Sequence, residues 1–497
     1  MNPLKRLAGQ TAVYGLSSIV GRLINFLLVP LYTNVFPTDE FGVITEMYTY
    51  VAFLLIVLTY GMETAFFRFS QKERNTGGNV FSTALFSLGF TSVLFIIMVV
   101  IFRHPIAEIM RYPDNVEYIV WIGIIVGLDA LAAIPFARLR AENKPLRFAS
   151  IKLTGIGVNI SLILFFLLFC PWALASGPSW LHPLVEAVYD PGIGLGYVFI
   201  ANLGAAGLTV LLLTPVMLRS RLVFVFPLWK RMLIYALPLL VAGLAGVVNE
   251  ALDKLLLKYL LPEEIAMSQV GIYGAVYKVS IMMTIFVQAF RFAAEPFFFS
   301  QASEKNAREL YAQVMKFFVV ACLFIFLGVM LFMDIVQYFI GAEYREGLVV
   351  VPILLIANMF LGIYFNLSIW YKLTGQTRFG AWFAVAGALI TIVLNVWWIP
   401  LFGYHGSAWA TLICYFSMAS LSYYFGQKYF KIPYEVGRIM LFIGAALLVY
   451  FLSLLTREFP QYLVYLSNFV LLLVFGGLVL VADKFMLASL KKWLNRE

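Results

Sequence analysis

Residues 249–259 read NEALDKLLLKY, and they fall inside a segment, 237–261, that is otherwise apolar and long enough to cross a bilayer. Glu250, Asp253, Lys254 and Lys258 all sit on it. A charge near the bilayer centre costs about 3 kcal/mol even on insertion scales, so such side chains face protein or water rather than lipid. A membrane-length helix with four charges therefore belongs to a bundle with a polar interior.

The rest of the chain agrees. Its 497 residues are 62% hydrophobic and 12% charged, with a mean hydropathy of +0.90, more apolar surface than a soluble fold can cover. Windows of about 20 apolar residues give fourteen spans, near 9–35, 42–68, 80–102, 116–138, 147–171, 193–217, 232–260, 270–298, 310–333, 348–371, 379–398, 406–427, 436–455 and 463–484. The fold class is an all-α polytopic membrane protein. The basic start, MNPLKRLAGQTAVYGL, lacks a cleavage signature and is read as a retained first helix. The longest loop expected on the exterior, 171–192, has no Lys or Arg.

Lys and Arg crowd one set of connections, among them Lys5/Arg6, Arg138/Arg140/Lys144/Arg147, Arg219/Arg221/Lys230/Arg231 and Lys428/Lys431/Arg438. The alternate set holds Arg103, Arg111, Arg345 and Arg457. Both termini are thus expected in the cytoplasm. The net charge of +9 is a topology signal on many short loops, not a nucleic-acid patch. Cys170, Cys322 and Cys414 lie in apolar runs without CxxC or His spacing, and His104, His182 and His405 fall in separate loops. No disulfide framework, metal site or His-based catalytic cluster is expected. GIGLG at 192–196 opens a membrane span and is not a dinucleotide loop.

The two halves resemble each other. Ser70-Gln71 and Ser300-Gln301 are 230 apart, Arg147-Phe148 and Arg378-Phe379 are 231 apart, and Gly42 and Gly271 are 229 apart. This offset predicts two six-helix repeats, 1–228 and 229–432, followed by an extra helix pair and a cytoplasmic tail, 433–497. Six spans per repeat give parallel repeats, with a cavity expected between them.

At roughly 100° per residue, Glu250, Asp253, Lys254 and Lys258 share one sector of the seventh span, and Glu250–Lys254 has i,i+4 spacing. A salt-bridge ladder locking this helix to a neighbour would explain such a face. Lining of a wet cavity explains it better, because two lysines and two acids exceed what a lock needs. The first span carries a narrower stripe with Ser18, Arg22, Asn25 and Tyr32. The eighth span carries Lys278, then Arg291 and Glu295 at i,i+4. Arg68 and Lys316 read as interfacial snorkellers, and Glu46, Glu63, Asp129 and Lys152 as weaker intramembrane candidates. A cavity holding Arg22, Lys254, Lys258, Lys278 and Arg291 against Glu250, Asp253 and Glu295 leans cationic and suits an anionic or phosphate-bearing substrate.

The segment 388–416, ALITIVLNVWWIPLFGYHGSAWATLICYF, contains Asn395, Ile399-Pro400, Gly403, Gly406 and Ala408-Trp409-Ala410-Thr411. It resembles the signature of polysaccharide flippases in the multidrug/oligosaccharidyl-lipid/polysaccharide (MOP) superfamily. GRLINFLLVPLYTNVFPTDEFG at 21–42 and KLTGQTRF at 372–379 are similar to that family's first helix and its loop between helices 10 and 11. The resemblance implies two six-helix bundles in a V with alternating access, and no enzymatic activity. The implied cargo is an undecaprenyl-pyrophosphate-linked oligosaccharide, moved from the cytoplasmic to the periplasmic leaflet of the bacterial inner membrane for O-antigen, capsule or exopolysaccharide assembly. Family flippases use basic residues on helices 1, 2, 7 and 8, for which Arg22, Lys254, Lys258, Lys278 and Arg291 are this chain's candidates; Asn25, on the same stripe as Arg22, is expected beside them in the cavity. The resemblance implies a monomer without a cofactor, in contact with membrane lipids and with polysaccharide polymerase machinery. The acids Glu250, Asp253 and Glu295 leave open a coupling proton or sodium ion. The extra helices 13 and 14 occur in members that include lipid II flippases, where they hold the lipid tail. A cation-coupled multidrug exporter of the same superfamily is the nearest rival reading, followed by a lipid II flippase and a membrane polysaccharide polymerase or ligase.

Overall fold

The computed structural model describes residues 20–21, 23–24, 26–72, 77–219 and 223–483. Among them no β-strand occurs. Twelve helices are long and apolar enough to cross a bilayer, and the 26-residue Tyr404–Tyr429 helix fills the expected twelfth span. The first span lies mostly outside the described residues, which include its last turns, Val29–Val35. Every other expected span coincides with helix.

Three expectations change. The eighth span, read as one helix over 270–298, is divided at Ser280 into Glu263–Val279 and Ile281–Gln301. The Ser280 hydroxyl donates to the Tyr277 carbonyl at 2.7 Å, a local bond that competes with the helical ladder. The loop 171–192, expected on the exterior, is largely folded: it holds the Cys170–Ser176 and His182–Glu186 helices, with Cys170, Ala173 and Val185 buried together. Lys316, expected at the lipid interface, is 2% exposed.

The chain forms two compact units, Met1–Asn25 with Val35–Gly271, and Phe26–Asn34 with Ile272–Glu497. In the first unit Val116–Ala141 packs on Gly77–Ile101, Gly196–Met217 and Thr38–Thr59. Its mostly apolar surface is closed by small residues at the contacts: Gly123 and Gly127 meet Val99 and Ile96, as expected where helices associate by close packing rather than by a hydrophobic drive. The 35-residue Phe226–Leu260 helix also belongs here and runs along Thr38–Thr59 and Met62–Lys72. The packing boundary thus follows the seventh span, whereas the expected repeat boundary precedes it.

In the second unit Tyr404–Tyr429 packs against Arg378–Phe402 and Val351–Leu367. Gly406, Ser407, Ala408, Ala410 and Gly426 are buried along it, and the Trp370 ring lies against Gly426 with its indole N–H donating to Ser422 at 3.3 Å. The last two helices, Val436–Leu454 and Gln461–Ala482, dock on Ala307–Leu331. Lys316 fixes them there. Its ammonium pairs with Glu435, just before the first helix, at 2.7 Å, and with Asp483, just after the second, which Arg438 also reaches at 3.6 Å.

Candidate functional site

The polar residues of the seventh span separate into two environments. Near its C-terminal end, Lys258 is enclosed by the first unit. Its ammonium donates to both carboxylate oxygens of Glu46, at 2.9 and 2.8 Å, and to the Met110 carbonyl at 2.6 Å. The Tyr112 hydroxyl donates to Glu46, and the ammonium lies 3.8 Å from the Tyr112 ring centre. Side-chain exposure is 4% for Lys258 and 0% for Glu46. Arg111, in the left-handed region at φ 59°, turns the chain between Met110 and Tyr112, so that the carbonyl of one and the phenol of the other both reach the pair. Around it, the Tyr50 and Tyr259 hydroxyls bond at 2.7 Å, and Arg111 pairs with Glu263 at 3.1 Å. Lys258 also occupies the last turn of its helix, where a cation complements the backbone dipole.

The same end of the unit is closed by a backbone contact. A Cβ on Gly42 would collide with the Met267 carbonyl oxygen, and one on Gly271 with that of Thr38. The Thr38 and Ser268 hydroxyls bond at 2.8 Å across this crossing. Thr38 and Ser268 are 230 positions apart, the same offset as that between the matching stretches of the sequence.

One turn before Lys258, Asp253 and Lys254 are 3% and 8% exposed. Lys254 donates to Asp253 at 3.1 Å and to the Glu250 carbonyl at 3.2 Å. The expected carboxylate pair of Glu250 with Lys254 is not formed: the Glu250 side chain is exposed, and Lys254 turns to its chain neighbour. Lys258, expected to line a wet cavity, is sealed in an ion pair instead, because Glu46 of the second span meets it with matched geometry.

In the second unit, Arg291 and Glu295 of Ile281–Gln301 line a pocket with Asn366 and Lys372. Lys372 pairs with Glu295 at 2.8 Å, while Arg291 stands 3.9 Å from Glu295 and 4.7 Å from the centre of the Phe365 ring. Glu295 is thus engaged mainly by Lys372, leaving Arg291 as the pocket's excess cation. Asn366 is 3% exposed, and neither polar atom of its amide has a hydrogen-bond partner. A buried amide in that state leaves donor and acceptor capacity facing the pocket. Lys278 is exposed on the preceding helix. Arg22 and Asn25 lie outside the described residues.

The structure thus brings together Asp253 with Lys254, Lys258 with Glu46, and Arg291 with Glu295. Sequence reasoning placed Glu46 only among the weaker candidates and missed Tyr50, Tyr112, Asn366 and Lys372 as members of these clusters. The one usable signal for Glu46 is a carboxylate in the third turn of a span, which demands a partner. No group of three or more His, Cys, Asp or Glu suited to a metal ion occurs among the described residues.

Residues 35–184 match the family described as polysaccharide biosynthesis protein. No curated protein matches the chain by sequence. Among solved structures, the lipid II flippase MurJ in an inward closed conformation superposes with a TM-score of 0.71 at 13% identity, covering 94% of this chain and 99% of that one. An inward-facing multidrug resistance MATE family transporter of the MOP superfamily gives 0.62 at 14% identity, covering 85% and 97%. A Vibrio cholerae MATE transporter, VcmN, gives 0.57 at 12% identity, covering 86% and 95%. The twelve membrane-length helices among the described residues and these superpositions agree: this is a multi-pass membrane protein built on the fold of the lipid II flippase MurJ and of MATE transporters of the MOP superfamily.

Proposed function

We propose that the protein is a flippase that moves a polyprenyl-pyrophosphate-linked oligosaccharide from the cytoplasmic to the periplasmic leaflet of a bacterial inner membrane by alternating access. One observation carries this reading: the polysaccharide biosynthesis match over 35–184 falls on a chain whose fold follows a lipid II flippase over 94% of its length. The two MATE transporters described above follow 85% and 86% of it.

In this reading the cargo's pyrophosphate meets Arg22, Lys254, Lys278 and Arg291, with Asn25 beside them, while Glu250, Asp253 and Glu295 tune those cations or take up a coupling proton or sodium ion. Lys258 serves differently. Paired with Glu46 it holds the Thr38–Thr59 and Phe226–Leu260 helices together at the end that the positive-inside rule assigns to the periplasm. Arg291 and the Asn366 amide supply a cation and free hydrogen-bonding capacity in one pocket, chemistry that fits phosphate and sugar hydroxyls. Sequence placement of the polyprenyl tail against the last helix pair and contact with polymerase machinery remain parts of the same proposal.

The test is depletion of the gene in its host with early glycan synthesis intact, followed by mass spectrometry of extracted lipids. Accumulation of a polyprenyl-pyrophosphate oligosaccharide in the cytoplasmic leaflet is the expected result and identifies the cargo. Normal lipid pools with raised sensitivity to cationic drugs would instead assign the protein to the exporters.

A further inference from the structure

Most acids inside the described spans meet a cation. Glu46 pairs with Lys258, Glu63 with Arg140, Asp253 with Lys254 and Glu295 with Lys372, while Glu250 is exposed. Asp129 differs from all of these. It is half-buried and makes no hydrogen bond or ion pair with a described residue.

Its depth follows from one continuous helix. Asp129 stands thirteen residues after Val116 and twelve before Ala141 in a helix of 26 residues, which at about 1.5 Å per residue puts it 18–20 Å from either end. That is the middle of a hydrocarbon core of about 30 Å. At roughly 100° per residue, Asp129, Phe136 and Arg140 share one face of the helix. The face meets other helices rather than lipid: Arg140 pairs with Glu63 of Met62–Lys72, and the Phe136 and Phe148 ring centres are 5.1 Å apart. From Thr38–Thr59, Tyr48 comes within electrostatic reach of Asp129. The Tyr48 hydroxyl accepts from the Asn202 amide at 2.9 Å, and its own proton goes to no described acceptor.

The other titratable groups on helices packed against Val116–Ala141 are engaged or lie at helix ends. Gly77–Ile101 has none. Lys152 lies 5.6 Å from the Phe148 ring centre, Arg68 lies 4.1 Å from that of Tyr235, Tyr50 bonds Tyr259, and Tyr197 accepts from the Asp190 N–H. Asp39, Glu40, Lys72 and Arg147 stand at the ends of their helices, and Arg103, His104 and Glu108 belong to the connection before the span.

An acid at that depth without a countercharge marks a place where a proton or an ion passes. A metal cation needs a cage of several oxygens, and no cluster of three or more His, Cys, Asp or Glu surrounds Asp129 among the described residues. A single proton cancels the charge with no cage at all. We propose that Asp129 is a reversible proton-binding site in the membrane interior: one proton from water joins a carboxylate oxygen to give the neutral acid, and later returns to water from that oxygen. Its use for a coupling proton rests on the transport reading; the site itself does not.

Infrared difference spectra of the full-length protein in vesicles would be recorded as the pH is stepped from about 8 to about 5. The carbonyl-stretch band of a protonated carboxylic acid, shifted by deuterium exchange, is expected to appear. It should be missing in Asp129→Asn and present at an altered frequency in Asp129→Glu, which controls for folding. Identical difference spectra from the native protein and Asp129→Asn overturn the proposal. Loss of the band on adding sodium at constant pH makes a metal cation the ligand and overturns it too. In the host, Asp129→Asn at normal membrane levels is expected to accumulate the lipid-linked glycan, and full flipping by that variant overturns the coupling role. A native protein that shows the band, with lipid pools unchanged on gene depletion, supports the proton site and fails the transport reading alone.

Discussion

Replacing Glu46 by Gln keeps the side chain's size and removes its charge. The consequence can be worked from the contacts of Lys258. Of its three hydrogen bonds, two go to Glu46 and one to the Met110 carbonyl, and with 4% side-chain exposure the ammonium has almost no access to water. An isolated cation in that place is an uncompensated buried charge, which costs about 3–5 kcal/mol. Lys258→Met leaves the mirror problem, a carboxylate at 0% exposure whose countercharge is gone although the Tyr112 hydroxyl still donates to it, and a similar cost. The Glu46→Gln/Lys258→Met pair removes both charges and is expected to cost less than either single change, as buried ion pairs replaced by neutral groups commonly do. The coupling free energy of the cycle is therefore expected above about 3 kcal/mol, beyond the usual range for neighbouring residues. Reversible unfolding in mixed micelles, with the native protein and all three variants measured together, reads it directly. Additivity within about 0.5 kcal/mol would refute the reasoning and reduce the pair to a proximity without energetic weight.

Three further outcomes follow from other contacts. Gly271→Val forces a side chain onto the Thr38 carbonyl and should destabilise by about 1–3 kcal/mol, seen as early loss of the monodisperse peak on heating, whereas Gly477→Ala, which meets nothing within 4 Å, should not. Lys316→Met removes the ammonium shared by Glu435 and the fully buried Asp483 and leaves Arg438 at 3.6 Å from Asp483; it should expose the last helix pair to protease, at a cost of about 1–3 kcal/mol, while Lys428→Met on the exposed surface leaves digestion unchanged. Gln at both Lys254 and Arg291 should lower flipping of the lipid-linked glycan at least tenfold with normal membrane levels. Undiminished flipping would remove those residues from the cargo site.

The spans were legible because hydrocarbon thickness imposes a length and a polarity on each helix, and this chain obeys both with little ambiguity. The interior was legible only in part. A helical wheel puts Lys254 and Lys258 on one side of the Phe226–Leu260 helix, yet it carries no information about what stands opposite, and Glu46 is 212 positions away. Lys316 looked like an interfacial lysine because its acidic partners, Glu435 and Asp483, lie far along the chain. Ser280 divides a helix without the Gly or Pro that usually marks a break. The spacing of Gly42 and Gly271 marked them as matching positions of the two halves, but it carried no sign that the two backbones meet.

The Glu46–Lys258 pair also has a consequence in time. Translation proceeds at about 5–20 residues per second, so roughly 10–40 s separate the synthesis of this carboxylate from that of its ammonium partner, 212 residues later. Tyr112 follows Glu46 by 66 residues, and its hydroxyl is available several seconds before Lys258 exists. The second span is thus made before the partner of its carboxylate exists, and Glu46 has no ammonium to meet until the seventh span is made. Biogenesis of the first unit then closes on a late electrostatic step, and a nascent chain stalled before residue 258 should leave that helix exposed to modification from the aqueous side.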